Sequence, residues 1–237
     1  MGVVATPIKE GNTRFIVEEA LKAAQNEGPV ETELVHLQDY RIEPCVGCDG
    51  CMRRIHKIQK EVGLEVVPVP IKTYNCGIRD DMEILHQKLV ESDGLILGTP
   101  VYIASIPGQL KVFIDRCRTF VHDYRLRSKA AGSITVAFYR SAGQDTTLNL
   151  MNLSLLAVGY TVVSVGASTV SSKEGLGIPI KETRFAAGQD PLGMMMVRSV
   201  GSQVAQTAIT LKAGKLALEA AGMGLQGRAS FEIPGSG

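Results

Sequence analysis

Three cysteines sit three apart in Pro44-Cys45-Val46-Gly47-Cys48-Asp49-Gly50-Cys51, and a fourth, Cys76, follows beyond residues 52–75 in Asn75-Cys76-Gly77-Ile78-Arg79-Asp80-Asp81. Thiolates bunched on a tight turn are what an iron–sulfur cluster requires, with one sulfur for each iron. The same four could hold a structural Zn²⁺, although zinc sites more often show two separated Cys-x-x-Cys pairs. Free thiols, buried or redox-reactive, are the third reading. The fifth cysteine, in Ile114-Asp115-Arg116-Cys117-Arg118, falls inside a helical pattern and reads as a small core hydrophobe. An odd number of cysteines argues against a disulfide framework and favours metal or redox use.

A second chemical feature is the polar segment Thr6-Pro7-Ile8-Lys9-Glu10-Gly11-Asn12-Thr13, which leads from a short apolar run into an amphipathic helix. Backbone N–H groups at a helix N-terminus lack partners, and the helix dipole adds positive potential. The hydroxyls of Thr6 and Thr13, the Asn12 amide and the Lys9 ammonium could complete a phosphate cradle there. A plain capped turn would use the same residue types. Two further polar loops follow apolar runs: Gly98-Thr99-Pro100-Val101-Tyr102-Ile103-Ala104-Ser105 and Tyr139-Arg140-Ser141-Ala142-Gly143-Gln144-Asp145. A planar ring could lie across the first of these, near Tyr102.

The elements that must position these loops alternate. Val3-Val4-Ala5 reads as a short first strand, followed by a helix from Asn12 with Phe15, Ile16, Ala20, Leu21 and Ala24 at helical spacing. Residues 31–37 read as strand 2. Residues 52–75 begin basic and helix-like, turn into Val66-Val67-Pro68-Val69-Pro70, which no helix accommodates, and read as an insertion. A helix is expected over residues 80–91. Gly94-Leu95-Ile96-Leu97-Gly98 has the continuous apolar character of a buried parallel strand. Helices are expected over 108–121, 146–158 and 193–221, and strands over 134–139 and 161–165. Alternation of this kind predicts an α/β fold: a doubly wound, five-stranded parallel sheet in the order 2-1-3-4-5, with a cysteine-bearing insertion after strand 2. Ligands of such sheets bind beyond the carboxyl ends of the strands, where strands 1 and 3 diverge, and all three polar loops fall there. One domain over 1–221 and a mobile Gly-rich tail over 222–237 are expected.

The composition narrows the function classes. Across 237 residues the net charge is +1, which gives no argument for nucleic acid or an anionic membrane. No apolar run approaches the roughly 20 residues a membrane span needs. Lys9, Glu10 and Arg14 come too early for a secretory signal, so a cytoplasmic protein is expected. The stretch Gly222-Met223-Gly224-Leu225-Gln226-Gly227 matches a dinucleotide fingerprint letter for letter, but it follows a helix rather than a strand. His36, His56, His86 and His122 are scattered and read as neither ligands nor acid–base groups.

Taken together, Thr6-Pro7 with Gly11-Asn12-Thr13, the cysteine motif, Cys76 with Asp80-Asp81-Met82, Gly98 to Tyr102, Gly108-Gln109-Leu110-Lys111 with Phe113-Ile114-Asp115-Arg116, and Gly143-Gln144 resemble one family. It is the NADPH-dependent FMN reductase branch of the flavodoxin superfamily, and particularly its iron–sulfur flavoproteins. The resemblance spans roughly residues 3–165. It implies a non-covalent FMN with its phosphate on Thr6, Lys9, Asn12 and Thr13. The isoalloxazine would lie against Pro100, Val101, Tyr102, Ile103, Ala104 and Ser105, and against Arg140, Ser141, Gly143 and Gln144. It also implies a [4Fe–4S] cluster on Cys45, Cys48, Cys51 and Cys76, and a homodimer or homotetramer. Two departures stand out: Ile8 occupies the place of the phosphate loop's usual arginine, and the fourth cysteine is unusually distant from the third. Three functions follow. The first is an iron–sulfur flavoprotein passing electrons between a ferredoxin-like donor, cluster, FMN and a small acceptor. The second is an NAD(P)H-dependent FMN or quinone reductase without a cluster. The third is a non-enzymatic carrier docking through Arg53, Arg54, Lys57 and Lys60.

Overall fold

In a computed structural model, residues 1–63, 76–172 and 185–223 are described. Strand β1 (Gly2–Val4) is only three residues long but fully buried, and pairs in parallel with β2 (Leu34–His36) on one side and β3 (Gly94–Pro100) on the other. Ala5 N donates to Gly98 O at 2.8 Å, extending that ladder by one bond. β4 (Ala130–Ala137) lies beside β3, and the sheet runs β2-β1-β3-β4-β5, in the predicted order.

The fifth position differs from expectation. It holds two short pieces: β5 (Thr161–Val162) pairs with Ala130 and Ala131, and β6 (Ala167–Val170) pairs with residues 134–137. Gly166 turns the chain between them at φ +102, and a Cβ there would lie 2.9 Å from Ser133 O. The Asn152 amide donates to Val165 O at 2.9 Å, and Ser164 Oγ accepts from Gly166 N at 3.0 Å. Side chains thus bind backbone groups that leave the ladder at the break.

Helices cover both faces. α1 (Asn12–Gln25) and α7 (Pro191–Ala220) pack on one, where Ile16, Val17, Val197, Val200 and Val204 meet Val4, Ile96 and Ile134. α3 (Met82–Glu91), α4 (Gly108–Arg116), α5 (Thr119–Asp123) and α6 (Gln144–Ala157) supply the other core, around Val3, Leu95 and Leu97. Adjacent residues of β1 and β3 feed opposite cores, the two-fold alternation of a strand buried on both sides. The single helix expected over 108–121 is broken at Cys117 and Arg118. The fourth strand begins four residues earlier than expected, at Ala130. α2 (Gly50–Val62) occupies the helix-like start of the expected insertion. The rest of that insertion, most of the loop over 170–191, and the tail from residue 224 lie outside the described residues. Among the described residues no helix is long and apolar enough to cross a membrane.

Candidate flavin crevice and cysteine site

The loop after β1 opens into a crevice of about 360 Å³ lined by Thr6, Ile8, Glu10, Gly11, Asn12 and Thr13. Facing them are Pro100 at the end of β3 with Val101 and Tyr102 just past it, Val136 and Ala137 at the end of β4 with Phe138 just past it, and Ser171 beyond β6. Gly11 precedes α1, no side chain caps the helix, and its first turn carries no acid. The carboxylate nearest to it, Glu10, also lines the crevice and is paired with Arg14, so the dipole at this end is opposed only by an acid that already has a cation. Thr6 Oγ1 accepts from Ile8 N at 3.3 Å, and the His36 ring lies 3.3 Å from Ile8 O. The Asn12 side chain also ties down a distant segment, since its Oδ1 accepts from Ala187 N at 2.9 Å. Lys9 is paired with Asp39 and does not line the crevice.

The loop after β3 is a tight hairpin. Tyr102 and Ser105 exchange both backbone hydrogen bonds, at 3.0 and 3.1 Å, around Ile103 and Ala104. Both central residues have positive φ, 49° and 55°. That is the geometry of a type I′ turn, which Asn and Gly adopt readily and isoleucine does not. Ile103 is 98 % exposed at the tip. The third loop meets this hairpin directly. Gly143, at φ +97, lies so close to Ala104 that a Cβ would collide with its backbone. Gln144 is buried and holds its own loop together, donating to Tyr139 O and accepting from Ala142 N, each at 2.8 Å. Arg140 reaches the buried Asp190 at 3.4 Å, and Asp190 also caps α7 by accepting from Gly193 N. Arg140, Ser141, Gly143 and Gln144 line a second crevice of about 370 Å³ with Asp145, Thr146, Ser168 and Val170.

Of the sequence-derived flavin residues, Thr6, Asn12, Thr13, Pro100, Val101 and Tyr102 thus share one crevice. Arg140, Ser141, Gly143 and Gln144 line the second, and Ala104 joins the two loops. Ser105 closes the hairpin through its backbone. Ser171, Phe138 and the Asn12–Ala187 bond were not foreseen. Ser171 carries no local signal, because its place follows only from the pairing of β6 with β4. A cavity of about 540 Å³ at the opposite end of the sheet is lined by Met1, Glu33, Lys88, Asp93 and Lys212 among others. Its charges are largely spent on one another, in the Lys88–Glu33 and Lys212–Asp93 pairs.

The cysteines occupy a different place. Cys45 and Cys48 are exposed on an irregular loop, Cys51 stands in the first turn of α2, and Cys51 and Cys76 are half-buried. Arg118 pairs with Asp49 at 2.6 Å beside them. Burial raises the Cys51 thiol above its ordinary value, while the Met52 N–H and the Arg118 charge act the other way and neighbouring Cys76 adds to the rise. Cys117 is buried in the core, and burial pushes its thiol far up. Among the described residues no three Cys, His, Asp or Glu side chains converge closely enough to hold a metal ion. The donor set suits a thiolate metal centre, and the sulfurs are not drawn to a common point here.

FMN suits the first crevice on structural grounds: an uncapped helix N-terminus with threonine hydroxyls for a phosphate, and an apolar shelf with a tyrosine for a ring. A doubly wound sheet with three such loops at its carboxyl edge defines a flavodoxin-like protein. The profile of the NADPH-dependent FMN reductase family matches residues 1–175, and the chain belongs to that family, in its iron–sulfur flavoprotein branch. It is a flavin-dependent oxidoreductase. An iron–sulfur flavoprotein of Methanocaldococcus jannaschii is 32% identical over 212 residues, covering 90% of this chain and 98% of the relative. One from Archaeoglobus fulgidus is 32% identical over 178 residues, covering 74% and 71%. The crystal structure of RosB, bound to 8-demethyl-8-formylriboflavin-5'-phosphate, superposes with a TM-score of 0.65 at 16% identity over 100% of this chain and 92% of its own, a likeness of fold.

Proposed function

We propose that the protein is an iron–sulfur flavoprotein in the full sense. FMN occupies the crevice at the carboxyl ends of β1, β3 and β4, and a [4Fe–4S] cluster is held by Cys45, Cys48, Cys51 and Cys76. Electrons pass between a ferredoxin-like donor and a small acceptor such as O₂, H₂O₂ or a quinone. The observation that carries the flavin assignment is that three loops gather on one edge of the sheet, two of them lining one crevice with the uncapped N-terminus of α1 and the third lining the crevice beside it. FMN, when bound, supplies both one- and two-electron chemistry. The backbone amides that open α1 and the hydroxyls of Thr6 and Thr13 bind its phosphate. The shelf of Pro100, Val101 and Tyr102 orients the ring, and Gly143 and Gln144 hold the facing loop in register with it. Support for the cluster comes from the four thiols and from the name shared by the relatives. Cys45 and Cys48, being exposed, are free to rotate toward a common centre. Thiols kept reduced fit a cytoplasmic location, and a homo-oligomer remains part of the reading.

The lack of convergence among the four sulfurs favours one other reading: an NAD(P)H-dependent FMN or quinone reductase that uses only the flavin. Anaerobic purification separates the two. A brown protein with broad absorption near 400 nm and about four iron and four sulfide per chain is the expected result. A yellow, iron-free protein that oxidises NADPH rapidly establishes the alternative. In the Cys48→Ser variant the cluster is lost and FMN stays bound. Unchanged iron content there removes Cys48 from the ligand set.

A further inference from the structure

We propose that the buried Asp80–Arg116 pair is a positioning device for the four thiols. It locks the chain just before Cys45 to the chain just after Cys76 and seats both on the end of α4. The proposal rests on the reading of Cys45, Cys48, Cys51 and Cys76 as one thiolate site, and it identifies what builds that site.

Both side chains are 1% exposed. The guanidinium grips the carboxylate with two bonds, Nη1 to Oδ2 at 2.5 Å and Nη2 to Oδ1 at 3.0 Å. Both backbone groups of Glu43 join the pair: its N–H donates to Asp80 Oδ2 at 2.7 Å, and its carbonyl accepts from Arg116 Nη1 at 2.6 Å. One step outward, Asp81 N donates to Arg41 O at 3.1 Å and Arg41 N donates to Asp81 Oδ2 at 2.8 Å. Residues 41–43 and 80–81 are thereby fixed side by side. Cys45 lies two residues beyond Glu43, and Cys76 four residues before Asp80.

The same end of α4 reaches the third cysteine segment. Arg118, two residues past Arg116, pairs with Asp49 where α2 begins, two residues before Cys51. Cys117, between the two arginines, is buried in the core and anchors them. Every cysteine of the site is therefore within a few residues of an anchor on residues 116–118. A buried ion pair contributes little net stability over apolar residues of equal volume, and its best-attested use is to fix register. A two-pronged Arg–carboxylate pair allows essentially one relative placement of its segments.

The test uses the full chain prepared without metal, titrated with Cd²⁺ and followed by the ultraviolet thiolate-to-cadmium absorption, with FMN titration as a check on folding. In Asp80→Asn/Arg116→Gln, which leaves no unpaired charge, Cd²⁺ affinity is expected to fall at least about tenfold, as for other groups that orient metal ligands. FMN affinity should stay within about twofold. Arg118→Gln, on an exposed pair, should also weaken Cd²⁺. Parental Cd²⁺ affinity in a folded double variant overturns the proposal. If the double variant does not fold, unchanged Cd²⁺ affinity in Arg118→Gln overturns it instead. Iron and sulfide are measured separately. A parent that binds Cd²⁺ but no iron, with weaker binding in the variants, defeats the iron–sulfur reading and supports the clamp. Equal cluster assembly in parent and variants defeats the clamp alone.

Discussion

Ile103 and Gly143 lie on two loops that meet at Ala104, and they bear opposite conformational loads. Ile103 holds a left-handed backbone with its side chain in solvent, so it carries strain that packing does not repay. Ile103→Gly should therefore stabilise the protein by roughly 0.5–1 kcal/mol, the relief of strain exceeding the entropy glycine adds to the unfolded chain. Urea unfolding that shows lower stability would mean the tip is not strained as described. Gly143→Ala should do the reverse. It adds a side chain at positive φ against the Ala104 backbone, and a loss of at least about 2 kcal/mol is expected, with weaker FMN binding. Parental stability and FMN affinity would show that the two loops separate easily. Neither contact is visible along the chain, because Ala104 and Gly143 become neighbours only when β3 and β4 pair. The polar character of both loops was legible, and their conformations were not.

At the scale of elements, the ends of α3, α4 and α5 enclose a set of buried polar groups. Burial would by itself raise the Asp80 carboxyl, but the Arg116 hydrogen bonds and charge, with the Glu43 and Met82 N–H groups, hold it below its ordinary value. His86, 2% exposed, lies 3.0 Å from Arg116 O, and burial pushes its pKa down to about 3. The unfolded chain binds that proton near the ordinary value of 6.5, and the folded chain resists it until about pH 3. Stability from His86 is thus complete above about pH 6.5 and falls by up to about 1.4 kcal/mol per pH unit below it. His86→Phe should flatten the stability profile between pH 6 and 4 relative to the parent. An unchanged slope in denaturant titrations would place the acid sensitivity elsewhere. Asp80 adds a loss only below the ordinary aspartate range. Apolar elements such as Gly94 to Gly98 were plain in the sequence, since a buried strand announces itself by composition. The start of β4, Ala130-Ala131-Gly132-Ser133, was not, because small residues carry no strand signal and owe their place to Val200 and Val204 packed above Gly132. Asp80 and Arg116 stand in two separate motifs of the sequence, and nothing along the chain tells that the fold buries them together.

The whole molecule carries two candidate sites on one doubly wound frame. The crevice proposed for FMN lies where β1 and β3 diverge, the position the strand order dictates. The cysteines sit on the loop after β2, in the first turn of α2 and ahead of α3, and the Asp80–Arg116 pair proposed to position them lies at the end of α4. Strand order and the loops at the carboxyl edge were legible because alternation and right-handed crossovers leave few arrangements. The split of the fifth strand depended on Gly166 and on a side chain, Asn152, from another element. Lys9, expected at the phosphate, pairs with Asp39 and does not line the crevice, so the proposed phosphate site rests on the helix N-terminus and the threonine hydroxyls. Calorimetric titration of the flavin-free protein with FMN and with riboflavin tests directly whether this end of α1 is a phosphate site. One FMN per chain should bind at least about a hundredfold more tightly than riboflavin, the worth of one or two charge-assisted hydrogen bonds. Equal affinity for the two, or no binding of either, would contradict it.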